Sequence, residues 1–404
     1  MDADRFIGQQ VRVIRARRGI SQQVLADRTG LSRGAIAKYE SGERPIDSRR
    51  TLLALAAALD VTIGDLTGHE QDRLDPATAG FHVAVPELET VLWARGNVTD
   101  TAPPRSLDEL TALTDTATRL RNDCDYARLG PMLAPLLTDA YRRVRDADPG
   151  SVDRAWDVLS AVTYGVASAL RARGYYALAW TAAQESQRAA TQTGGVAPVA
   201  AAAFSQGQIM LSRPGALPAA LSTTIDTAEQ LSAEVRTVGE IETYGMLHLQ
   251  GSIVAATLGA DPEPYLLEAA EQADRLPDAR PSTSVTRNES FGPANVTLWR
   301  MSAAMEQRDP GKVLALASTV SAADLPNDGR RAQYFVETGR AYAMQRNYRD
   351  SLYALLRAEH VAPQHVRTMA PVRELVGHMM RTARRNLTTG DLGRLAQRVG
   401  VVPT

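Results

Sequence analysis

The stretch that decides the fold of this chain is residues 21–45, SQQVLADRTGLSRGAIAKYESGERP. This stretch predicts two short helices joined by a tight turn. Ser21 and Ser32 are N-cap residues at the two helix starts, and Gly30 lies where the first helix must end with a positive φ. The apolar residues expected to face inward are Val24, Leu25, Ala26, Ala35, Ile36 and Tyr39. The pattern predicts a helix-turn-helix whose second helix is short enough to lie in a DNA major groove.

The motifs in this stretch resemble a known family. Ser-Gln-x-x-Leu-Ala is followed by Gly-Leu-Ser and then by Ile-x-x-Tyr-Glu-x-Gly-x-Arg-Pro. This combination is similar to the Cro/CI-type (xenobiotic response element) family of bacterial and phage DNA-binding domains. The resemblance covers residues 4–67. It implies a five-helix bundle, with the first helix at 5–18, the fourth at 48–59 and the fifth at 62–67.

The resemblance also implies roles for individual side chains. The residues it places on DNA are Gln22, Gln23, Ser32, Arg33, Gly34, Lys38 and Arg44. Gln22 and Arg44 match phosphate-binding positions, whereas Arg33 is suited to bidentate contact with a guanine edge. Gly34 stands where the family usually has a long polar residue, so it either admits a close backbone approach or removes a base contact. Arg15 and Glu40 match a structural ion pair between helices 1 and 3.

Charge is distributed unevenly along the 404 residues, although the formal net charge is only −1. Residues 1–68 carry 11 basic and 8 acidic side chains, a net charge of +3, and the remainder carries −4. A basic DNA-binding part is what phosphate neutralisation requires. The single cysteine, Cys124, excludes an intramolecular disulfide, and no apolar run approaches the ~18 residues that cross a bilayer. The sequence therefore predicts a cytoplasmic protein that is not membrane-bound.

The rest of the chain predicts a helical body. We expect a DNA-binding domain at 1–68, a linker at 69–88 that contains Pro76, Gly80 and Pro86, and a repeat domain at 89–404. First helices of successive pairs are expected at 155–172, 199–211, 241–258, 293–307 and 330–345, with flanking helices at 107–122, 130–146, 372–386 and 391–399. Equivalent positions in successive helix pairs are 38 to 48 residues apart in the sequence. This spacing is longer than the ~34 residues of a tetratricopeptide unit. The fold class is therefore all-α, with a tetratricopeptide-like α-solenoid, and HEAT-type pairing is the structural alternative.

Residues 291–304, FGPANVTLWRMSAA, and the following repeats resemble a large group of actinobacterial regulators that join a Cro/CI-type head to a helical repeat body. The architecture also resembles intracellular peptide-pheromone receptors of Gram-positive bacteria. We expect a homodimer on an inverted-repeat operator in double-stranded DNA, with a small-molecule or peptide effector in the body. The candidate effector contacts are Arg119, Asn122, Tyr164, Tyr244, His248, Asn288, Asn295 and Trp299.

Two other functions stay open from the sequence. The body could recruit a partner protein without a small ligand, which would make the chain a DNA-bound adaptor. Alternatively, the whole chain could be an enzyme with a DNA-binding head. The sequence contains no phosphate-cradling glycine loop, no Gly-x-Ser-x-Gly motif and no Cys/His ligand cluster. We therefore expect no catalytic residues, metal or cofactor. Trp299 and the tyrosines could equally be core residues between repeats.

Overall fold

The computed structural model describes residues 6–67, 79–97, 103–277, 290–382 and 390–401. Every regular element in these ranges is a helix, which confirms the all-α fold class. Five helices form an N-terminal head, as the sequence predicts. They are α1 (Ile7–Arg17), α2 (Gln22–Thr29), α3 (Arg33–Glu40), α4 (Arg49–Ala58) and α5 (Ile63–Thr67).

The head has a core of its own. Its fully buried side chains include Val11, Leu25, Ile36, Leu55 and Leu59. Together with Leu66 of α5, these apolar groups bring all five helices into one core, and their burial stabilises the head. The sequence expectation for one residue was wrong, because Val24 is 37% exposed rather than inward-facing. Only the adjacent Leu25 and Ala26 turn into the core, because α2 lies at the surface of the head and buries only one of its faces.

The remaining helices form the body. They are α6 (Ala79–Ala94), α7 (Leu107–Asn122), α8 (Tyr126–Arg145), α9 (Val152–Ala172), α10 (Tyr176–Thr193), α11 (Val196–Met210), α12 (Leu217–Leu231), α13 (Val238–Leu258), α14 (Glu263–Asp274), α15 (Pro293–Glu306), α16 (Pro310–Ala317), α17 (Asp328–Met344), α18 (Tyr348–Val361), α19 (Pro363–Val366), α20 (Ala370–Thr382) and α21 (Asp391–Arg398). No helix in the described parts of the chain is long and apolar enough to span a membrane.

The body is built from consecutive helix pairs, which confirms the predicted helical repeat. Each helix from α9 to α18 contacts the next one along the chain. The first helices of the pairs, α9, α11, α13, α15 and α17, also contact one another in succession, and α7 contacts α9. These helices, α7, α9, α11, α13, α15 and α17, therefore form one layer, which we call the inner layer. Because α17 also contacts α7, that layer curves back towards its own beginning and encloses an interior.

Helix α6 begins in a region where the sequence predicted a linker up to residue 88. Pro86 lies inside the helix and would normally disfavour it. Burial of Phe81, Val85 and Leu88 against α8 outweighs that cost. The two helices approach closely at Gly130, where an added Cβ would stand 2.5 Å from the Cα of Phe81. Tertiary packing thus overrides the local Gly/Pro signal.

The head lies against the body through several polar contacts. The carboxylate of Glu374 accepts hydrogen bonds from the backbone N–H groups of Ile7 (3.1 Å) and Ile46 (3.2 Å). The side chain of Arg50 donates to the carbonyl oxygen of Thr257 at 2.8 Å. Asp47 forms an ion pair with Arg308 at 3.0 Å. The contacts on the head come from the start of α1, from the segment between α3 and α4 and from the first turn of α4, away from the exposed start of α3.

Candidate functional site

The local geometry of the helix-turn-helix follows from three residues. The side chain of Ser21 accepts a hydrogen bond from the N–H of Val24 at 3.2 Å, and Ser32 accepts one from Ala35 at 3.1 Å. Gly30 ends α2 in the left-handed region, with φ of 69°. Two capped helix starts and one glycine stop therefore fix the turn between α2 and α3.

The start of α3 presents the predicted base-reading residues to solvent. Ser32, Arg33, Gly34 and Lys38 are all exposed. Lys38 lies 3.1 Å from Glu43, but both side chains are more than half exposed, so the pair is weak and easily exchanged for another partner. A Cβ added to Gly34 would meet only the hydroxyl of Ser32, at 4.0 Å. The fold of the head therefore does not itself require a glycine at this position.

The predicted ion pair between helices 1 and 3 is formed. The guanidinium of Arg15 donates to both carboxylate oxygens of Glu40, at 2.6 and 2.9 Å, and also to the carbonyl of Ile20. Glu40 is 5% exposed. The hydrogen bond to Glu40 raises the pKa of Arg15. A bidentate, charge-assisted contact of this kind holds α1 and α3 in a defined relation.

The predicted phosphate-binding side chains lie near this pair. The amide of Gln22 donates to Glu40 at 2.8 Å, a contact that the sequence did not predict. An amide nitrogen carries two N–H donors, so one remains for a phosphate oxygen. Gln23 donates to Asp27 at 2.7 Å on the exposed side of α2. The guanidinium carbon of Arg44 lies 5.3 Å from the ring centre of Tyr39. Their roles on DNA stay predictions.

Comparison with known proteins supports the assignment of the head alone. Residues 7–69 match the model of a helix-turn-helix domain. Among curated proteins, none matches the chain. The structure of Bacillus thuringiensis PlcR in complex with the peptide PapR7 and DNA was found as a similar solved structure, with 13% identity over 67% of this chain and 95% of that chain and a TM-score of 0.25. At that score the likeness carries no argument about the body.

Most of the predicted effector contacts on α13 and α15 are buried in the body core. Asn295 is 1% exposed and donates to the sulfur of Met246 at 3.6 Å, and Trp299 is 8% exposed. The rings of Tyr244 and His248 are 4.8 Å apart, and burial lowers the pKa of His248. Within these four side chains, the buried polar atoms that lack a hydrogen-bond partner among the described residues are Asn295 Oδ1, Trp299 Nε1 and both ring nitrogens of His248.

The other predicted contacts fall into three places. Arg119 is exposed and donates to Thr116 on the outer side of α7. Asn122 accepts a hydrogen bond from Arg121 at 3.3 Å, and the guanidinium of Arg121 lies 5.1 Å from the ring centre of Tyr164. The structure thus brings Asn122 and Tyr164 together around an arginine that sequence reasoning missed. Asn288 lies outside the described residues.

Two further interior arginines, Arg171 and Arg330, were also missed. Arg330 lies 5.9 Å from the ring centre of Trp299, which connects the predicted tryptophan to the same region as Arg121. A signal for Arg121 was present in the sequence. It follows Thr114 and Ala117 in the helical spacing of the buried stripe on α7, whereas Arg119 is two residues away on the opposite side. No comparable pattern predicts an interior position for Arg330, because it lies in the first turn of α17 and no helical residues precede it there except Asp328 and Gly329.

No group of three or more metal-ligating side chains occurs within the described ranges. The open groove of about 630 Å³ beside Trp93 and Arg188 is lined by a carboxylate, Glu185, that is already bound. Arg95, Tyr141 and Arg188 all donate hydrogen bonds to it. The two regions of interest are therefore the exposed face of α3 and the interior of the helical body.

Proposed function

We propose that this protein is a sequence-specific DNA-binding transcriptional regulator. The observation that carries the proposal is the exposed start of α3, where Ser32, Arg33, Gly34 and Lys38 face solvent within a helix-turn-helix domain. A short helix with basic residues on its open side suits the major groove. The head is the Cro/CI-type part of the chain, and Gln22 and Arg44 bind phosphates on either side of the base contacts.

The proposed regulator is a cytoplasmic homodimer without catalytic activity. One head contacts too few base pairs to specify an operator, so two heads read an inverted repeat with half-sites about 10–10.5 bp apart, or a multiple of that distance. The negatively charged body is a poor partner for DNA, so it supplies the dimer contacts. A small molecule or peptide bound in the body changes the relation of the two heads. Such an effector acts only if it binds one arrangement more tightly than the other.

Footprinting of the purified full chain on genomic DNA fragments tests this function. The expected result is a set of protected sites that share an inverted repeat. Light scattering on the full chain, with and without a recovered site, then gives the stoichiometry. Protection that is uniform along the DNA would contradict sequence-specific recognition. A single chain on each protected site would contradict the dimer and leave the DNA-binding assignment intact.

A further inference from the structure

Arginine side chains from three inner-layer helices meet in the interior of the body. Arg121 comes from the end of α7, Arg171 from the end of α9 and Arg330 from the start of α17. Arg171 and Arg330 are half-buried: part of each side chain is accessible to solvent, and the rest is surrounded by protein. Among the residues that the structure describes, no carboxylate forms an ion pair or hydrogen bond with any of the three.

The charges of these arginines act on one another. Burial lowers the pKa of Arg330, and the charges of Arg171 and Arg121 lower it further. Burial likewise lowers the pKa of Arg171, and the positive charge of Arg49 on α4 lowers that pKa further. The pKa of His365 falls to about 4 because of its burial and the nearby charges of Arg173, Arg171 and Arg330. The three arginines therefore lie near enough to one another for their positive charges to interact.

The groups around the arginines compensate this charge only in part. The guanidinium of Arg121 lies near Tyr164, and that of Arg330 lies near Trp299. Aromatic faces attract a cation but do not replace a carboxylate as an acceptor of N–H bonds. Arg121 Nη1 and Trp299 Nε1 are both buried donors without a partner among the described residues. Buried charges in proteins are normally paired, so this region lacks an acceptor that carries negative charge.

We propose that the interior between α7, α9 and α17 binds a small molecule through a phosphate or carboxylate group. Arg121 and Arg330 supply forked N–H donors that match oxyanion geometry, and Arg171 supplies further positive charge. The indole of Trp299 forms a wall and offers one more donor. A ligand with only neutral groups would leave the charge of the arginines uncompensated, and a cationic group would be repelled by it.

The site also faces the head. Arg49 belongs to α4, its backbone N–H donates to Glu306 at 3.1 Å, and its Nη1 is buried without a partner among the described residues. Because the charge of Arg49 acts on Arg171, an anion in the interior attracts both sides of the head–body contact. It would hold the head in its present position. This consequence for operator binding rests on the proposed regulator function, whereas anion binding itself does not.

Thermal denaturation of the full chain tests the site, with sodium phosphate and sodium succinate each compared with sodium chloride at equal ionic strength. We expect phosphate, succinate or both to raise Tm by about 3 °C or more at a hundredfold excess over the dissociation constant. The two anions distinguish a phosphate-bearing ligand from a carboxylate-bearing one. Absence of any shift with both would overturn the proposal.

The variants Arg330→Gln and Arg121→Gln distinguish a binding site from structural arginines. Each should abolish the anion-induced shift and leave Tm in chloride unchanged or higher, because the variant removes an unpaired buried charge. Arg330→Lys keeps the charge without the fork and should keep a reduced shift. The matched control is Arg349→Gln, at an exposed position of α18, which should retain the full shift. A full shift in Arg330→Gln and Arg121→Gln would overturn the proposal.

Operator affinity of the same proteins keeps the two proposals separate. If the anion shift is present and operator affinity does not respond to phosphate or succinate, the site stands and its link to the head is wrong. If the chain binds its operator and shows no anion shift, the regulator stands and the interior site is wrong.

Discussion

The backbone N–H of Ile46 in the head donates a hydrogen bond of 3.2 Å to the carboxylate of Glu374 in the body. The second oxygen of the same carboxylate accepts from Ile7, at the start of α1. Burial raises the pKa of Glu374, because the carboxylate is enclosed between the two parts of the chain. One body side chain thus fixes two separate points of the head.

Replacing Glu374 by glutamine should loosen this contact. An amide keeps one acceptor oxygen but presents N–H donors to the second backbone N–H, which is then left unsatisfied. An unsatisfied buried donor costs about 1–3 kcal/mol, so amide hydrogen exchange at Ile7 or Ile46 should accelerate about 5- to 150-fold. Glu271→Gln, at an exposed position of α14, is the control and should exchange as the parent does. Unchanged protection of both amides in Glu374→Gln would show that the contact does not hold the head.

The ion pair between Arg15 and Glu40 should be a major stabilising element of the head. Glu40→Ala leaves a partly buried guanidinium and the Gln22 amide without their carboxylate. The free energy of unfolding should fall by about 3–5 kcal/mol, as for other broken buried pairs. Glu43→Ala removes an exposed partner of Lys38 and should cost no more than about 1 kcal/mol. Equal denaturant midpoints for the two variants would mean that Arg15 and Glu40 are solvated.

Gly34 offers a test of how closely DNA approaches α3. In the free protein Gly34→Ala should raise stability by about 0.5–1 kcal/mol, since alanine is the better helix former and the added Cβ meets no close atom. Operator affinity should nevertheless fall if a phosphate or base edge lies against this position. A stabilised variant with weakened operator binding is the expected result. Unchanged affinity would favour the other interpretation, in which glycine merely omits a base contact.

The half-buried His365 should make the body sensitive to acid. Its pKa in the folded chain is about 4, against an ordinary value of 6.5. As pH falls through 6.5 the unfolded chain takes up a proton that the folded chain does not bind until about pH 4. Stability is therefore full above 6.5 and declines between 6.5 and 4, by at most about 3 kcal/mol. His365→Gln should flatten this decline, whereas His360→Gln, at an exposed position, should not. Identical pH profiles for the two variants would contradict this assignment.

Sequence patterns predicted the helices more accurately than the contacts between them. The first helices expected at 155–172, 199–211, 241–258, 293–307 and 330–345 lie within three residues of α9, α11, α13, α15 and α17 at both ends. Their long apolar stripes and the Gly or Pro breaks between them give a strong local signal. Helix α6 was missed because Gly80 and Pro86 suggest a loop, and only its packing on α8 makes it helical.

The candidate sites show the same limit. Motif spacing located the exposed residues of α3, which depend on local helix geometry. It could not predict that Gln22 bonds to Glu40, or that Glu374 binds backbone groups 328 and 367 residues away. The arginines in the interior come from α7, α9 and α17, and only the curvature of the inner layer brings them together. Local periodicity does not contain that curvature.

The measurement that tests the central claim most directly is operator binding by Arg33→Ala beside Arg28→Ala. Both variants remove one positive charge from the head, but Arg33 begins the exposed face of α3, whereas Arg28 lies at the far end of α2, where it donates to the carbonyl of Ala58. Arg33→Ala should lose about 1–3 kcal/mol of binding free energy on the cognate site and relax preference at one base pair. Arg28→Ala should bind as the parent does. Equal affinity and equal base preference in Arg33→Ala and the parent protein would contradict recognition through α3.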